Sequence, residues 1–371
     1  MKSIGKLVIG CIVTVLLLNT VTIGFASSRS SDQTLVLEEV GQFNDGGEAV
    51  EVLVVDDLAY VCQFDKGLEI LDISNPTDIV KLGQISNTAQ SRGITVIEDI
   101  AYVCCNVNGL KLFNISDLSN PTYIKQYTDS DGDPHQFIAV GDIGYLTEWD
   151  GGVDVVNISD PLNPARLGQY KDGGNAFSID IVDDLAFVTE YSYGLRVLNV
   201  SDPTNPIMIG SHNNAGETND LLVANKTAYV SDKMDGLEII SVADPSNPSL
   251  LGTYDDGGGT AGVQLIDDIA FVTNWDLGLE AVDISNPENP VKIGSFYDGG
   301  RPNGFQISAD LIYVADGTDG LEIIQIRWED TNGKSSATGF VLPLVMIGMC
   351  SISTAKLKKQ RKRSVNSCQS E

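Results

Sequence analysis

The middle of the chain is a regular succession of short apolar runs separated by turn residues. Runs rich in Val, Ile, Leu and Tyr alternate with Gly, Pro, Asn and Asp, a pattern typical of β-strands joined by tight turns. One stretch predicts strands at 177–182, 185–190, 195–200 and 207–211. No run between residues 27 and 326 has the length or period of a helix. The pattern therefore predicts an all-β domain built from four-stranded antiparallel units.

These units repeat at a fixed period. A glycine in the same sequence context recurs at spacings of 42 or 43 residues. The seven positions are Gly67, Gly109, Gly152, Gly194, Gly236, Gly278 and Gly320. Each of these marker glycines begins an apolar run that leads into a turn. Because a four-stranded unit repeated in tandem at this period forms a propeller blade, the seven copies predict a seven-bladed β-propeller.

The seventh copy ends at Ile326 without the fourth strand that the other copies have. A matching segment stands at the other end of the domain, because residues 39–47 resemble residues 292–300, which supply the fourth strand of the sixth copy. The amino-terminal strand is therefore expected to complete the seventh blade. Such closure leaves no open sheet edge between the first and last blades.

The repeats resemble the LVIVD-repeat family, whose copies follow the pattern Gly-Leu-x-Ile-x-Asp-Ile-Ser-Asp-Pro. The resemblance covers roughly residues 34–326. The departures are mild: Ser241, Val242 and Ala243 replace the Asp-Ile-Ser element in the fifth copy, and the seventh copy lacks the turn. The resemblance implies a β-propeller of a prokaryotic cell-surface or secreted protein, and it implies no shared reaction or ligand.

Both ends of the chain differ from the repeats. Residues 1–26 have the lysines, the apolar run and the small residues of a signal peptide. The propeller is expected over 34–328 and a linker over 329–336, followed by an apolar transmembrane or sorting helix over 337–355. The basic tail at 356–371 is expected on the cytoplasmic side of the membrane. This order predicts a propeller on the extracellular face of the cell membrane, with the carboxy-terminal helix either retained as a single span or removed on sorting.

The protein is strongly acidic, with a formal net charge of -28 and a sequence pI of about 4.2. Such a surface repels the phosphates of nucleic acids, so nucleic acid is excluded as a partner. Cations, basic proteins and neutral glycans remain as partners. The charge by itself also has a simpler explanation, because acidity keeps a displayed protein soluble.

Two neighbouring columns of equivalent positions carry the candidate binding residues. The column four residues before the marker glycine contains Gln63, Cys105, Glu148, Glu190, Asp232, Asn274 and Asp316. The next column contains Phe64, Asn106, Trp149, Tyr191, Lys233, Trp275 and Gly317. The turn between the second and third strands and the inter-blade loop emerge on the same face of a blade. The candidate ligand face therefore consists of the carboxylates Glu148, Glu190, Asp232 and Asp316 with the aromatic residues Trp149, Tyr191 and Trp275. Turn capping by these carboxylates is the alternative.

A weaker metal-site hypothesis concerns the loop before the third blade. Asp129, Asp131 and Asp133 have the spacing that begins a calcium loop. Val140 stands where a bidentate glutamate should close such a site, so the match is partial. Ca²⁺ is the cofactor that these oxygen ligands favour.

Other columns argue against further sites. Cys62 and Cys104 share a column with Thr147, Thr189, Ser231, Thr273 and Ala315, which predicts a small buried position rather than a disulfide. The sequons at Asn114, Asn157 and Asn199 share a column with Asp72 and Asp283, so these side chains are expected to cap turns; a fourth sequon begins at Asn225. The two histidines, His135 and His212, are expected in equivalent, solvated inter-blade loops.

The sequence favours a binding or adhesion module over an enzyme. The predicted partner is an extracellular protein or glycan that docks on the acidic, Trp-bearing face, and the carboxy-terminal helix supplies the contact with the membrane. Two alternatives remain open: a lactonase-like hydrolase that uses a metal bound by carboxylates, and a structural coat protein. The fold cannot choose between them, because propellers serve unrelated functions.

Overall fold

The computed structural model describes residues 33–330, apart from Asn87, Ala89, residues 128–131, residues 214–215 and Asp256. Its strands form seven four-stranded antiparallel sheets arranged in chain order. Within the described residues the helical structure is one 3-10 turn at Asn106–Asn108. The prediction of an all-β, seven-bladed propeller is confirmed.

Each blade contributes four strands, and the first strand of each blade lies nearest the axis. Blade 1 contains β2 Ala49–Val55, β3 Leu58–Gln63, β4 Gly67–Asp72 and β5 Val80–Ile85. Blade 2 contains β6 Ser91–Ile97, β7 Ile100–Cys105, β8 Leu110–Asn114 and β9 Thr122–Tyr127. Blade 3 contains β10 Asp133–Val140, β11 Ile143–Trp149, β12 Gly152–Asn157 and β13 Ala165–Tyr170. Blade 4 contains β14 Ala176–Val182, β15 Leu185–Glu190, β16 Gly194–Asn199 and β17 Ile207–His212. Blade 5 contains β18 Thr218–Ala224, β19 Thr227–Asp232, β20 Gly236–Ser241 and β21 Ser249–Tyr254. Blade 6 contains β22 Thr260–Ile266, β23 Ile269–Asn274, β24 Gly278–Asp283 and β25 Val291–Phe296. Blade 7 contains β26 Phe305–Ser308, β27 Leu311–Ala315, β28 Leu321–Asp330 and, from the other end of the domain, β1 Gln33–Phe43.

The seventh blade is closed by the amino-terminal strand, as the sequence predicts. β1 is the outermost strand of that blade and pairs with β28 from Gln33 opposite Asp330 to Phe43 opposite Leu321. The two strands extend slightly beyond the expected limits of 34–328. Every blade therefore has four strands, although the last one is assembled from residues nearly 300 positions apart.

The hydrophobic core consists of layers between neighbouring blades rather than one central cluster. One layer joins blades 1 and 2 through residues such as Leu53, Tyr60 and Phe113. Another joins blades 7 and 1, where Val52 and Val61 pack with Tyr313 and other buried residues of blade 7. Because each sheet buries apolar side chains on both faces, a blade without a neighbour on each side would expose a large apolar surface. This arrangement makes ring closure necessary for stability.

The marker glycine has a steric reason for recurring. Gly278 has a φ of 84°, and a Cβ atom there would lie 2.2 Å from the carbonyl oxygen of Phe296 on the fourth strand. In blade 7 the equivalent Gly320 has a φ of 85°, and its Cβ atom would lie 2.4 Å from the carbonyl oxygen of Phe43. The amino-terminal strand thus approaches its marker glycine nearly as closely as the fourth strand of blade 6 does, and only glycine leaves room for this approach.

The cysteine column is a buried column of inter-blade hydrogen bonds. The Thr147 hydroxyl donates to the Phe177 carbonyl of the next blade at 2.7 Å, and the Thr273 hydroxyl donates to the Asn303 carbonyl at 2.6 Å. Cys62 is fully buried in the equivalent place and is a free thiol. Cys104 is the same. The prediction of a small buried position without a disulfide is confirmed.

The sequon column caps turns. The Oδ1 atoms of Asn114, Asn157 and Asn199 each accept a hydrogen bond at 2.9 Å from the backbone N–H two residues later. Asp72 makes the same bond with Ser74, also at 2.9 Å. The shared geometry explains why Asn and Asp alternate in this column, since both are short acceptors suited to an Asx turn.

The predicted signal peptide at 1–26, the helix at 337–355 and the tail at 356–371 lie outside the described residues. Within residues 33–330, the described part of the chain has no helix long and apolar enough to cross a membrane.

Candidate functional site

An axial cavity of about 250 Å³ lies where the first strands of the seven blades meet. Its wall comes from the beginnings of these strands, including Glu51, Arg92, Gln136, Ser178 and Asp220, and two turn residues, Lys233 and Trp275, line it at one face. The wall mixes apolar side chains with a few polar and charged groups, which is the usual composition of a ligand pocket.

The three predicted aromatic residues come together at this face. The ring centroids of Trp149 and Tyr191 lie 5.2 Å apart, and Phe177 lies 6.0 Å from the first and 6.3 Å from the second. The Nζ atom of Lys233 lies 5.0 Å from the ring centroid of Tyr191 and 4.8 Å from that of Trp275. We call Trp149, Phe177, Tyr191, Lys233 and Trp275 the aromatic belt. It joins side chains from four blades into one continuous surface.

Cations are part of this surface, although the protein is acidic overall. The Arg301 guanidinium lies 4.6 Å from the ring centroid of Trp275, and the Arg92 guanidinium lies 5.8 Å from that of Phe64. Lys233 also forms an ion pair of 3.6 Å with Glu217. Cation–π contacts of this kind hold the ring planes and the cations in fixed relative positions. The opening of the axial cavity at this face, which we call the mouth of the channel, is therefore aromatic and locally basic.

The prediction that His135 lies in a solvated loop is wrong. The residue lies in β10 rather than in a solvated loop, is only 8% exposed, and contacts Phe177 with ring centroids 4.0 Å apart. Burial, helped by the nearby Arg92, lowers the pKa of His135 to about 3, so the ring is neutral at physiological pH. His212 is not its equivalent, because it ends the outermost strand of blade 4. Sequence reasoning misplaced His135 because two neighbouring blades bury a polar ring that would be exposed on a single sheet.

The four predicted carboxylates do not share the belt's surface. Glu148, Glu190, Asp232 and Asp316 are 0 to 3% exposed, each inside its own blade. Each packs beneath a glycine of the loop that covers its blade, where an added Cβ atom would lie 2.0 to 2.5 Å from a carboxylate oxygen. These glycines are Gly151, Gly174, Gly216 and Gly300. None of the four carboxylates is among the described residues that line the axial cavity.

Each buried carboxylate has local contacts of its own. Glu190 Oε2 accepts a hydrogen bond of 2.9 Å from Arg196 Nε, and Asp232 Oδ1 accepts one of 2.7 Å from the backbone N–H of Met234. Burial raises the pKa of Glu190 to about 7, with Arg196 opposing the shift. Burial, together with Asp298 and Asp319, raises the pKa of Asp316 to about 7. These groups act within their blades, so they supply no ring of ligands around the axis.

The predicted calcium loop falls largely on residues that are not described. Asp129 and Asp131 lie outside the described residues, and Asp133 begins β10, opposite Trp149 on β11. The weak metal-site hypothesis for Asp129, Asp131 and Asp133 therefore stays a prediction.

Sequence reasoning missed two carboxylates that do line the cavity. Glu51 and Asp220 stand in one column, where Gly93, Gly262 and Gly304 occupy three of the other blades. Both residues are partly buried and line the cavity. Burial and the negative charge of Asp220 raise the pKa of Glu51 to about 8, and burial raises that of Asp220 to about 6. The departure of two acids from a glycine-rich column was the signal that could have found them.

The raised pKa of Glu51 predicts a pH-dependent effect of its substitution. The folded protein holds a proton on Glu51 up to about pH 8, whereas an unfolded chain releases it near pH 4.5. Between these values only the unfolded chain gains from ionisation, so the free energy of unfolding falls as the pH rises, and no penalty exists below them. Glu51→Gln should leave the free energy of unfolding nearly unchanged at pH 4.5 and raise it by up to about 5 kcal/mol at pH 8.5. Urea unfolding at both pH values measures this, and a difference independent of pH would contradict the assignment.

Comparison with known proteins agrees with the repeat pattern. The LVIVD repeat model matches six times, at residues 46–86, 89–129, 132–172, 173–214, 215–256 and 257–298. The six matches begin in the loop before each of blades 1 to 6, and the seventh blade, which is made from both ends of the domain, is not among them. A search of curated proteins found no match.

Solved structures with a similar fold are distant in sequence. Virginiamycin B lyase from Staphylococcus aureus has a TM-score of 0.64 at 12% identity, covering 79% of this chain and 99% of its own. The Cps50 (Swd1) β-propeller domain of Myceliophteria thermophila has a TM-score of 0.61 at 11% identity, with coverage of 78% and 99%. The computationally designed Ika8 protein has a TM-score of 0.58 at 9% identity, with the same coverage. At such identities the similarity shows the fold alone. Since the repeat model matches more than half of the chain, the protein belongs to the LVIVD-repeat family.

Proposed function

We propose that this protein is a cell-surface binding module whose partner docks at the aromatic mouth of the axial channel. The observation that carries the proposal is the aromatic belt, in which Phe177, Lys233 and Trp275 line a cavity of about 250 Å³ and Trp149 and Tyr191 extend the belt beside it. Each of these rings is only partly buried, so each has a face or edge left for a partner. Aromatic anchors beside a pocket are the groups that most often dominate binding free energy.

The chemistry of the mouth suits a glycan or a protruding side chain of a protein. The belt offers flat apolar faces, while Asn219 and Asn303 on the cavity wall offer polar groups that can orient a ligand. The Asn303 side chain is itself held by a 3.0 Å hydrogen bond from Trp275 Nε1. This arrangement replaces the acidic ligand face of the sequence analysis with an aromatic one, since the carboxylates of that face lie inside the blades.

The location at the cell surface belongs to the same proposal. It is supported by the signal-like residues 1–26 and by the apolar and basic segments at 337–355 and 356–371. A binding module displayed in this way would be accessible to an extracellular partner. The net negative charge of the module would keep it soluble.

Substitution of two belt residues tests the proposed function. Trp149→Ala with Trp275→Ala should weaken binding at least about tenfold, because anchor residues of this kind contribute on the order of 1 to 2 kcal/mol each. The measurement is binding of the labelled full chain to a glycan array and to immobilised extracellular proteins. Tyr123→Ala serves as the matched control, because Tyr123 is 52% exposed on the outer strand β9, away from the belt. Binding that survives the double substitution, or that Tyr123→Ala reduces equally, would contradict the proposal.

A hydrolase is the second candidate, and the carboxylates Glu51 and Asp220 are the observation that favours it. Both line the cavity, and each has a pKa nearer to neutrality than a free carboxylic acid has. Acids of this kind can donate and accept protons at physiological pH. This candidate differs from a lactonase-like enzyme built on the predicted carboxylate ring, because Glu148, Glu190, Asp232 and Asp316 do not line the cavity among the described residues.

A further inference from the structure

A compact acidic cluster lies in blade 7, away from the axial cavity. Carboxylate oxygens of Asp298, Asp316 and Asp319 all lie within 4.8 Å of one another. Asp298 comes from the loop between blades 6 and 7, whereas Asp316 and Asp319 flank the turn between β27 and β28. Glu322, the second residue of β28, interacts with both Asp298 and Asp316. Four acids thus meet where two loops cross.

Blade 1 shows how the fold neutralises the acids at the same positions elsewhere. There Lys81 Nζ lies 2.8 Å from Asp45 Oδ2 and 2.5 Å from Glu69 Oε1, and Lys66 Nζ lies 3.2 Å from Asp45 Oδ1. Gln63 Nε2 donates to Glu69 Oε2 at 2.7 Å. Two lysines and an amide therefore neutralise and hydrogen-bond two acids.

Blade 7 keeps both acids and replaces all three of their partners with further acids. The acids Asp45 and Glu69 of blade 1 correspond to Asp298 and Glu322 of blade 7. Their partners Lys66, Lys81 and Gln63 correspond to Asp319, Glu39 and Asp316. Strand pairing fixes the least obvious of these, because Glu39 lies opposite Ile324 as Lys81 lies opposite the equivalent Leu71. Two lysines are lost and three carboxylates are gained at one site.

Two buried acids of this cluster each have one oxygen without a hydrogen-bond partner in the described part of the chain. Asp316 is 3% exposed and Glu322 is 1% exposed. Among the described residues, Asp316 Oδ1 and Glu322 Oε1 have no hydrogen-bond partner. A buried, unsatisfied carboxylate oxygen costs free energy unless a cation or a donor reaches it.

Blade 5 also lacks a basic residue on its fourth strand, where Leu250 takes the place of Lys81. Its acid nevertheless has donors, because Asp232 Oδ1 accepts the backbone N–H groups of Met234 at 2.7 Å and of Asp235 at 3.2 Å. The cluster of blade 7 has more acids than blade 5. Glu190 and Glu280 in other blades also have a buried oxygen without a donor, but Arg196 and Lys292 form ion pairs with them, whereas no ion pair of the described residues reaches the four acids of blade 7.

We propose that Asp298, Asp316, Asp319 and Glu322 bind a divalent cation, Ca²⁺, which takes the place of the two lysines of blade 1. Carboxylate oxygens without sulfur or imidazole are hard ligands suited to Ca²⁺. Ca²⁺ accepts six to eight oxygens in flexible geometry, whereas Mg²⁺ demands a near-ideal octahedron. A cluster assembled from two loops and a strand fits the less demanding ion.

This cation would stabilise the closure of the propeller. The turn that carries Asp319 is bound to the amino-terminal strand and the residue after it: Gln42 Nε2 donates to the Asp319 carbonyl at 3.1 Å, and Asn44 Nδ2 donates to the Thr318 carbonyl at 2.8 Å. Ca²⁺ would join this turn to the loop of Asp298 and so fix the blade on which ring closure depends. The role is independent of partner binding at the aromatic belt.

Calcium titration of the full chain, stripped with EDTA, tests the proposal. Addition of 1 mM CaCl₂ should raise the melting temperature by about 5 °C, because an ion that binds only the folded state stabilises it. Asp298→Asn with Asp319→Asn should abolish the rise. Asp235→Asn, at the position in blade 5 equivalent to Asp319, is the matched control and should retain it. No rise in the wild type, an equal rise in the double variant, or an equal rise with MgCl₂ would overturn the assignment.

A second variant distinguishes metal binding from simple loss of stability. Glu39→Lys with Asp319→Lys restores the two lysines of blade 1. This variant should melt without calcium at least as high as the wild type does with calcium, and calcium should no longer change its melting temperature. If it melts no higher than the metal-free wild type, or still responds to calcium, the cluster does not hold a cation in place of the lysines.

Discussion

Deletion of residues 34–44 should lower the melting temperature of the protein by at least about 10 °C. The deletion removes β1, which pairs with β28 over its full length and buries Leu35 against blades 6 and 7. It exposes the edge of β28 and part of two inter-blade layers, at a cost of about 5 kcal/mol or more. That is comparable to the whole stability of an ordinary domain. Thermal unfolding followed by circular dichroism measures the change, with each kcal/mol corresponding to about 2 to 4 °C.

The same experiment carries its own control. A synthetic peptide of residues 33–44, added to the truncated protein, should occupy the vacant edge and recover part of the lost stability. Recovery would show that the loss comes from strand pairing and not from damage to the remaining blades. An unchanged melting temperature after the deletion would mean that blade 7 is complete without β1.

Arg166→Met should destabilise the protein by about 3 kcal/mol. Arg166 Nε and Nη2 both lie 3.0 Å from Oδ2 of Asp154, which is fully buried on β12 of blade 3. Removing the arginine takes the cation away from a buried carboxylate, which costs more than the ion pair itself contributes. Methionine keeps most of the apolar stem of arginine, so the change isolates the charge. Urea unfolding at pH 7 measures the free energy.

The double variant Asp154→Asn with Arg166→Met provides the matched comparison. It removes both charges, and the asparagine side chain still offers an oxygen to the Tyr127 hydroxyl, which donates to Asp154 Oδ2 at 3.1 Å. This variant should recover at least half of the stability lost by Arg166→Met alone. Additive losses in the two single variants and the double variant would show that the pair is not coupled.

The repeat explains why so much of the fold could be predicted. The marker glycines, the alternation of apolar runs with turn residues and the Asx turns are local features, and each is present in several copies. A column that is small in every blade, such as that of Cys62 and Thr147, identifies a buried position without any knowledge of the fold. Closure by β1 was likewise predictable, because the match between 39–47 and 292–300 is a sequence property.

The candidate site was predictable only in part. The aromatic column was found, since Trp149, Tyr191 and Trp275 depart from their neighbours in the repeat. The column beside it was placed on the same surface, but adjacent residues of a strand point to opposite sides. Glu190 and Asp232 therefore turn into their blades while Tyr191 and Lys233 reach the channel mouth.

The sequence by itself determined the number of blades, their limits, the strand that closes the ring and the residues that cap its turns, because these depend on interactions repeated every 42 or 43 residues. Only the tertiary structure decided which polar groups meet across that repeat. Ring closure brings Glu51 and Asp220, from blades 1 and 5, to one cavity, and two neighbouring blades bury His135. The crossing of two loops gathers Asp298, Asp316 and Asp319 into one cluster. Such meetings depend on the curvature and packing of the whole ring, which no single copy of the repeat contains.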